Sequence, residues 1–308
     1  MAADLVTHGV LVTFRRPMAL RDHLDKLAAQ SKRLDTLVVV DNDNDPTVRR
    51  IVEEATNAAS SVRYLGLENN PGPAGAIAAG ITNTVDFVDG DGWLVLLDDD
   101  DPPPRTNTLE AVAQATAALT EVDPDVGAVG LWGATLEWTG RLRAARGREP
   151  QRVAYLPGGA CPHYRLATLR RSLGPDPSLF FGFDDLDLGL AVAKAGGSVW
   201  STGLARDHGW TSMVENRRVK ASVSSPTWRR YYSLRNLIVV LRRNERSLAA
   251  AVMSVFAGVA KPLANLPFAP RLAARNLRIN ALALSHGWTG TTGKQLDPTD
   301  LPQWLRSP

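Results

Sequence analysis

The first 131 residues alternate short, β-branched apolar runs with amphipathic helical patterns, and this rhythm leaves few folds open. Leu5–Thr13, Thr36–Val40, Val62–Leu65, Trp93–Leu97 and Val126–Leu131 have strand length and strand composition. Between them lie helical patterns at Met18–Gln30, Pro46–Asn57, Ala74–Val85 and Thr106–Leu119; the first carries Leu20, Leu24 and Leu27 on one face. Strands joined through single helices require parallel crossovers, which predicts a doubly wound α/β sheet flanked by helices. Ligands of such sheets bind beyond the carboxyl ends of the strands.

Those ends are where the polar residues cluster. The second run leads into Asp41-Asn42-Asp43-Asn44-Asp45-Pro46, the third into Asn69-Asn70-Pro71-Gly72-Pro73-Ala74-Gly75, and the fourth into Asp98–Asp101. Aspartate before Pro46 caps a turn as readily as it binds a ligand. Four adjacent carboxylates are different: they repel one another unless a cation neutralises them. A hard divalent ion, Mg²⁺ or Mn²⁺, bridging carboxylate to substrate phosphate is the natural partner. The small residues of Asn69–Gly80 suit either a phosphate or sugar approaching a helix N-terminus, or a plain tight turn. Neither G-x-G-x-x-G nor a P-loop lysine pattern is present. Further on, Gly158-Gly159-Ala160 marks a turn. Asp184, Asp185 and Asp187 sit among aromatics at a helix start, where a raised proton affinity suits a general base. Asp207-His208-Gly209-Trp210 follows the apolar run Ser198–Leu204, which points His208 towards the same sheet edge.

Charge divides the chain. Gly209–Leu296 carries fourteen Lys or Arg against Glu215 and Glu245, a balance of +12, while the remainder is −9. Arginine outnumbers lysine 29 to 6, and its planar fork suits phosphate. The basic part reads as helices: Tyr231–Arg243, the fourteen-residue apolar run Ser247–Ala260, and Leu263–Leu284 with Arg271, Arg275 and Arg278 on one face. Fourteen residues are too few to cross a bilayer of about 30 Å. An apolar surface beside an arginine stripe suits an interfacial helix on an anionic membrane, or packing on the rest of the chain or on a second copy as a homodimer. Nucleic acid is disfavoured, because the −9 part would repel it. The single cysteine, Cys161, excludes a disulfide framework and a multi-thiolate metal site, and no secretory signal pattern opens the sequence; a cytoplasmic location, peripheral on the inner face of the cell membrane, is expected.

Taken in order, Val12-Thr13-Phe14-Arg15-Arg16-Pro17, Val40-Asp41-Asn42, Asn70…Gly72…Ala74-Gly75, Leu97-Asp98-Asp99-Asp100, Phe183-Asp184-Asp185-Leu186-Asp187, His208 and Arg230-Tyr231-Tyr232-Ser233-Leu234-Arg235-Asn236 resemble the motifs of family 2 glycosyltransferases with the GT-A fold. The last segment is similar to the galactofuranosyl and rhamnosyl branch. The resemblance covers nearly the whole chain. It implies donor contacts from Thr13, Phe14, Arg15, Asp41, Asn42, Asn70, Gly72, Gly75, Asp98 and Asp99. It also implies metal ligation by Asp98, Asp100 and His208, Asp185 as base, and an acceptor side comprising Asp184, Asp187, Gly158 and Gly159. The implied division is a GT-A catalytic domain over 1–210, with a nucleotide-sugar half 1–131 and an acceptor half 132–210, then a basic helical region over 211–308.

The function expected on this likeness is inverting, metal-dependent transfer of a sugar, galactofuranose or rhamnose, from a UDP- or dTDP-sugar to a lipid-linked or glycan hydroxyl. A small-molecule natural product is the alternative acceptor. A sugar nucleotidyltransferase would need a Gly-rich basic loop after the first strand, where this chain has Thr13-Phe14-Arg15-Arg16-Pro17. A non-enzymatic membrane-binding protein would leave both acid clusters unexplained.

Overall fold

The structure is a computed structural model that describes residues 5–172, 174–208, 227–297, 299–302 and 305. The chain divides into two compact units, the first comprising Met1–Thr135, Arg143–Pro177 and Asp185–Thr211, the second Leu136–Leu142, Ser178–Asp184 and Ser212–Pro308. The expected division at 210/211 is thus crossed twice: two short loops of the first 210 residues group with the later helices. Gly209 and Trp210 lie outside the described residues.

The first unit is built on one mixed sheet. Its strands are β1 (Thr7–Thr13), β2 (Leu34–Asp41), β3 (Ala59–Gly66), β4 (Trp93–Asp98), β5 (Val126–Gly130), β8 (Gln151–Arg152), β9 (His163–Arg165) and β10 (Ser198–Ser201), in the order β3-β2-β1-β4-β9-β5-β10-β8. β6 (Ala134–Leu136) and β7 (Leu142–Ala144) form a separate hairpin. β3, β2, β1 and β4 are parallel, as the alternation predicts. β9 runs antiparallel between β4 and β5, a strand of three residues too short for any periodicity to betray. The run Ser198–Leu204 is strand only to Ser201, then turns through a 3₁₀ helix at Leu204–Arg206.

Both sheet faces are covered, which is why the strands are continuously apolar. Val10, Val38 and Leu94 pack on one face with Ile77 and Ile81 of α3 (Gly72–Phe87). Their neighbours Leu11, Val39 and Val95 point the other way, against Leu20 and Leu24 of α1 (Pro17–Ala28) and Ile51 of α2 (Pro46–Glu54). Pro17 and Pro46 open their helices, and the Asp45 side chain accepts the Thr47 N–H at 2.7 Å as N-cap of α2. α4 (Thr108–Val122), α5 (Leu166–Arg171) and α6 (Asp184–Lys194) complete the set before the basic region.

The second unit is helical: α7 (Thr227–Arg243), α8 (Ser247–Met253), a π-helical stretch Ser254–Ala260, α9 (Lys261–Ala264) and α10 (Pro270–Thr289). The apolar run therefore does not stop at Ala260. Ser247–Ala264 is one helical run of 18 residues, long and apolar enough to cross a bilayer by length and composition, with 28% of it buried. The expectation from fourteen residues is corrected, because the π-turn carries the helix through Lys261 and Pro262.

Candidate active site

Register brings the polar clusters to one edge. In the parallel ladders Thr13 pairs with Asp41, Val12 with Asp98, and Asp41 with Gly66, so the carboxyl ends of β1 to β4 finish side by side. The side chains that follow each strand meet there, although their sequence separations are large.

The four aspartates have distinct environments. Asp99 is buried, accepts the Thr13 hydroxyl at 2.7 Å and pairs with Arg16 at 3.1 Å. Burial pushes its carboxyl above the usual range, and the Thr13 and Arg16 contacts offset this only in part. Asp100 is exposed and pairs with the same Arg16 nitrogen at 2.5 Å. Asp98 and Asp101 lie against the Gly158–Ala160 turn: a Cβ on Gly158 would overlap the Asp98 carboxylate, and one on Gly159 the Asp101 carboxylate. The two glycines are thus the reason these acids fit.

Asp41 is fully buried. Its Oδ1 accepts the Asp43 N–H at 3.0 Å; its Oδ2 accepts the Asp45 N–H at 2.7 Å and the Tyr64 hydroxyl at 2.8 Å. That carboxylate shapes the loop between β2 and α2. Beside it Asn42 is buried, and its Oδ1 has no hydrogen-bond partner. Arg15 forms a two-pronged pair with Asp43 at 2.7 and 3.1 Å and stacks over Phe14. Asn69 and Asn70 both take left-handed backbone, and the Asn70 side chain accepts the Gly72 N–H at 3.1 Å. Gly75 packs against Pro71, so the start of α3 is a tight, side-chain-poor surface.

At the N-terminus of α6, Asp184 is buried and Asp185 half-buried, where the helix dipole favours negative charge. Asp187 accepts the Asp176 N–H at 2.8 Å and so ties down the loop before the helix. The residues leading into α6 are strained: Phe180, Gly182 and Phe183 all have φ between 64° and 79°. For an aromatic residue this is uncommon, and it persists only where surroundings enforce it. Within the second unit the enforcing groups are Arg235 and Asn236, both fully buried. Arg235 donates to the carbonyls of Leu179 and Gly293 at 2.7 Å each and to Asn236 Oδ1 at 2.8 Å. Asn236 Nδ2 lies 2.9, 2.9 and 2.7 Å from the carbonyls of Leu179, Phe181 and Gly182.

The expected metal trio is not gathered. Among the described residues no three His, Cys, Asp or Glu side chains cluster as a metal site. His208 is buried, with Nδ1 3.1 Å from the Thr108 hydroxyl at the start of α4. Burial, and then the Arg105 charge, lower its proton affinity. Asp98 and Asp100 remain as two carboxylates at the edge. That pair fits an ion shared with substrate phosphates rather than one caged by protein alone. Arg16, Tyr64, Asp101 and the Arg235–Asn236 pair are the residues that sequence reasoning left without a role. Only their motif or strand-end position marked them.

Residues 10–166 match the model of Glycosyl transferase family 2. A galactofuranosyltransferase GlfT1 of Mycolicibacterium smegmatis is 39% identical over 123 residues, 39% of each chain. GlfT1 of Mycobacterium tuberculosis is 31% identical over 203 residues, 61% of this chain and 64% of the relative. The chain thus matches less than two thirds of the length of these relatives. Among solved structures, GalNAc-T7 with UDP, GalNAc and Mn²⁺ superposes with TM-score 0.58 at 13% identity, covering 93% of this chain and 58% of that one. S. aureus TarS 1-349 in complex with UDP-GlcNAc gives 0.52 at 14%, covering 91% and 81%. These likenesses establish the GT-A fold. Since the family match takes in about half the chain, including β1 through β9 and the Asp98–Asp101 cluster, this protein belongs to glycosyl transferase family 2.

Proposed function

We propose that this chain is a glycosyltransferase that moves a sugar from a nucleotide-diphospho-sugar to a hydroxyl of a lipid-linked or glycan acceptor, with inversion at the anomeric carbon. The observation that carries the reading is the acid cluster Asp98–Asp101, seated against Gly158 and Gly159 at the carboxyl edge of a GT-A sheet. UDP-galactofuranose is the first donor to test, because the GlfT1 relatives are named as galactofuranosyltransferases. dTDP-rhamnose is the second.

On this reading the base and ribose lie over Thr13–Arg15 and Asn42. Asn42 Oδ1 offers an acceptor without a partner, a better candidate than the fully engaged Asp41. Asn70, Gly72 and Gly75 leave the start of α3 open to the donor. Asp98 and Asp100 would hold Mn²⁺ or Mg²⁺ with the diphosphate, and the ion would offset the charge that develops as the nucleoside diphosphate leaves. With its Nδ1 facing the Thr108 hydroxyl, His208 is proposed to reach the same ion through Nε2 only once donor and ion are bound. Asp185 would accept the acceptor hydroxyl's proton as that oxygen bonds to the anomeric carbon and the sugar–phosphate bond breaks, the electron pair leaving on the diphosphate. Asp184 and Asp187 would frame the acceptor side of that step.

The test is product release. Incubated with UDP-galactofuranose, Mn²⁺ and a polyprenyl-linked glycan, the protein should release free UDP and lengthen the acceptor. Pyrophosphate release would instead indicate a nucleotidyltransferase. Absence of turnover with every sugar nucleotide and acceptor tried would sink the reading.

A further inference from the structure

Exposed large apolar side chains are concentrated on the second unit. Leu248, Val255, Val259, Leu263 and Leu266 are exposed at spacings of seven, four, four and three residues, one stripe along the Ser247–Ala264 run and just past its end. Met253, Gly258 and Pro262 are buried on the opposite side. Phe256 is 49% exposed and Phe268 is 87% exposed. The hairpin tip adds an aromatic. Gly140 abuts Met253 and Leu241, Arg141 stacks over Phe256, and Trp138 between β6 and β7 stands 72% exposed. A contiguous apolar surface of this kind marks an interaction site.

Charge says what covers it. From Arg246 to Leu296 there is no Asp or Glu, while Arg246, Lys261, Arg271, Arg275, Arg278 and Lys294 are all basic. On α10 the three arginines lie opposite the buried stripe Ala273, Asn276, Asn280, Ala283 and Gly287. Apolar stripe, tip tryptophan and the exposed Arg141, Arg246 and Lys261 beside them are the complement of an anionic bilayer surface, where aromatics sit at headgroup level and each basic residue adds attraction. The helix is also fastened lengthwise: Asn280 donates to the carbonyls of Ala257 at 3.2 Å and Gly258 at 2.7 Å, and Gly258 meets Leu284. A helix stitched along one side to its neighbour can press only its other side into lipid.

The geometry points to a monolayer-insertion face made of Trp138, Val255, Phe256, Val259, Leu263 and Phe268, lying flat on an anionic membrane and not spanning it. This surface takes part in no step of the proposed sugar transfer, so it can be tested without turnover.

The experiment is co-sedimentation of the full chain with vesicles of phosphatidylcholine alone or with about one third phosphatidylglycerol, at low and high salt. Binding is expected to the anionic vesicles only and to weaken in salt. It should fall at least about tenfold in a Phe256→Ser, Leu263→Ser, Phe268→Ser variant, the scale set by three buried apolar side chains. Arg141→Gln, Arg246→Gln, Lys261→Gln should remove the salt dependence. Brominated lipid should quench tryptophan emission less in Trp138→Phe. Thermal unfolding of each variant identifies one that is misfolded; the remaining variants then decide. No binding to anionic vesicles at low salt would overturn the proposal. So would a lipid-free dimer that the serine variant dissociates, which assigns the face to a second copy. Retention on vesicles after alkaline extraction would replace it with a spanning helix.

Discussion

Asn236 and Gly182 are joined by a 2.7 Å hydrogen bond from the side-chain amide to the carbonyl, across 54 residues of sequence. The same amide reaches the carbonyls of Leu179 and Phe181, and Arg235 shares the first of them. Three carbonyls of a segment with left-handed backbone at Phe180, Gly182 and Phe183 are thus held by one buried pair, one residue before α6 begins. Asn236→Ala takes this donor from the Phe181 and Gly182 carbonyls while Arg235 still holds that of Leu179, a loss of about 1–3 kcal/mol for buried groups. Thermal unfolding should show that cost, and kcat should fall while the KM for donor stays near its original value. A variant with lowered stability and unchanged kcat would show that the pair serves folding alone.

Gly158→Ala and Gly159→Ala place a methyl group on the Asp98 and Asp101 carboxylates respectively. Each should reduce transfer by at least about tenfold, equivalent to about 1.4 kcal/mol, with little change in far-UV circular dichroism. Wild-type rates in both would mean the turn yields and the acids do not depend on it.

The ion is expected to arrive with the donor, since among the described residues no three His, Cys, Asp or Glu side chains gather as a metal site. Titration calorimetry should show nucleotide binding that requires Mn²⁺ and is lost in Asp100→Ala. In His208→Ala the contact to Thr108 also goes, so a lowered melting temperature should accompany any loss of ion affinity. Full activity in chelator-treated protein would remove the metal from the mechanism.

Asp185→Asn should lower kcat by about 10²-fold or more, the range for losing a general base, with donor affinity retained. Asp187→Asn is expected to act through stability instead, because its carboxylate accepts the Asp176 N–H. Reversal of the two outcomes would move the base to Asp187.

Acid should destabilise the fold through two buried histidines. Burial lowers the pKa of His23 and of His163 to about 4 each, against the ordinary 6.5. Between those values the unfolded chain binds protons that the folded chain does not. Stability is therefore full above about pH 6.5 and declines towards pH 4, by up to about 1.4 kcal/mol per pH unit for each histidine. Urea midpoints measured across that window should fall with pH, and the fall should lessen in His23→Gln. A flat profile would mean both rings are solvated.

What the sequence determines by itself is local and periodic. Strand and helix alternation shows the parallel sheet because each element repeats its own signal over several residues, and the acid clusters stand out because they interrupt those signals at strand ends. The RYYSLRN segment is visible as a likeness, but its work, donating from Arg235 and Asn236 to carbonyls more than fifty residues back, is set by packing. The same holds for Arg16, 84 residues from Asp100, and for Thr13, 86 residues from Asp99: no local pattern encodes which strand ends become neighbours. β9 escapes because three residues carry no period, and its place between β4 and β5 depends on the sheet already present. The expected metal trio shows the converse: matching types at matching positions name His208, while the fold commits its Nδ1 to Thr108. Tertiary structure decides partners because hydrogen bonds and buried charges are satisfied by proximity in space, and the chain brings distant residues together only after the core has formed.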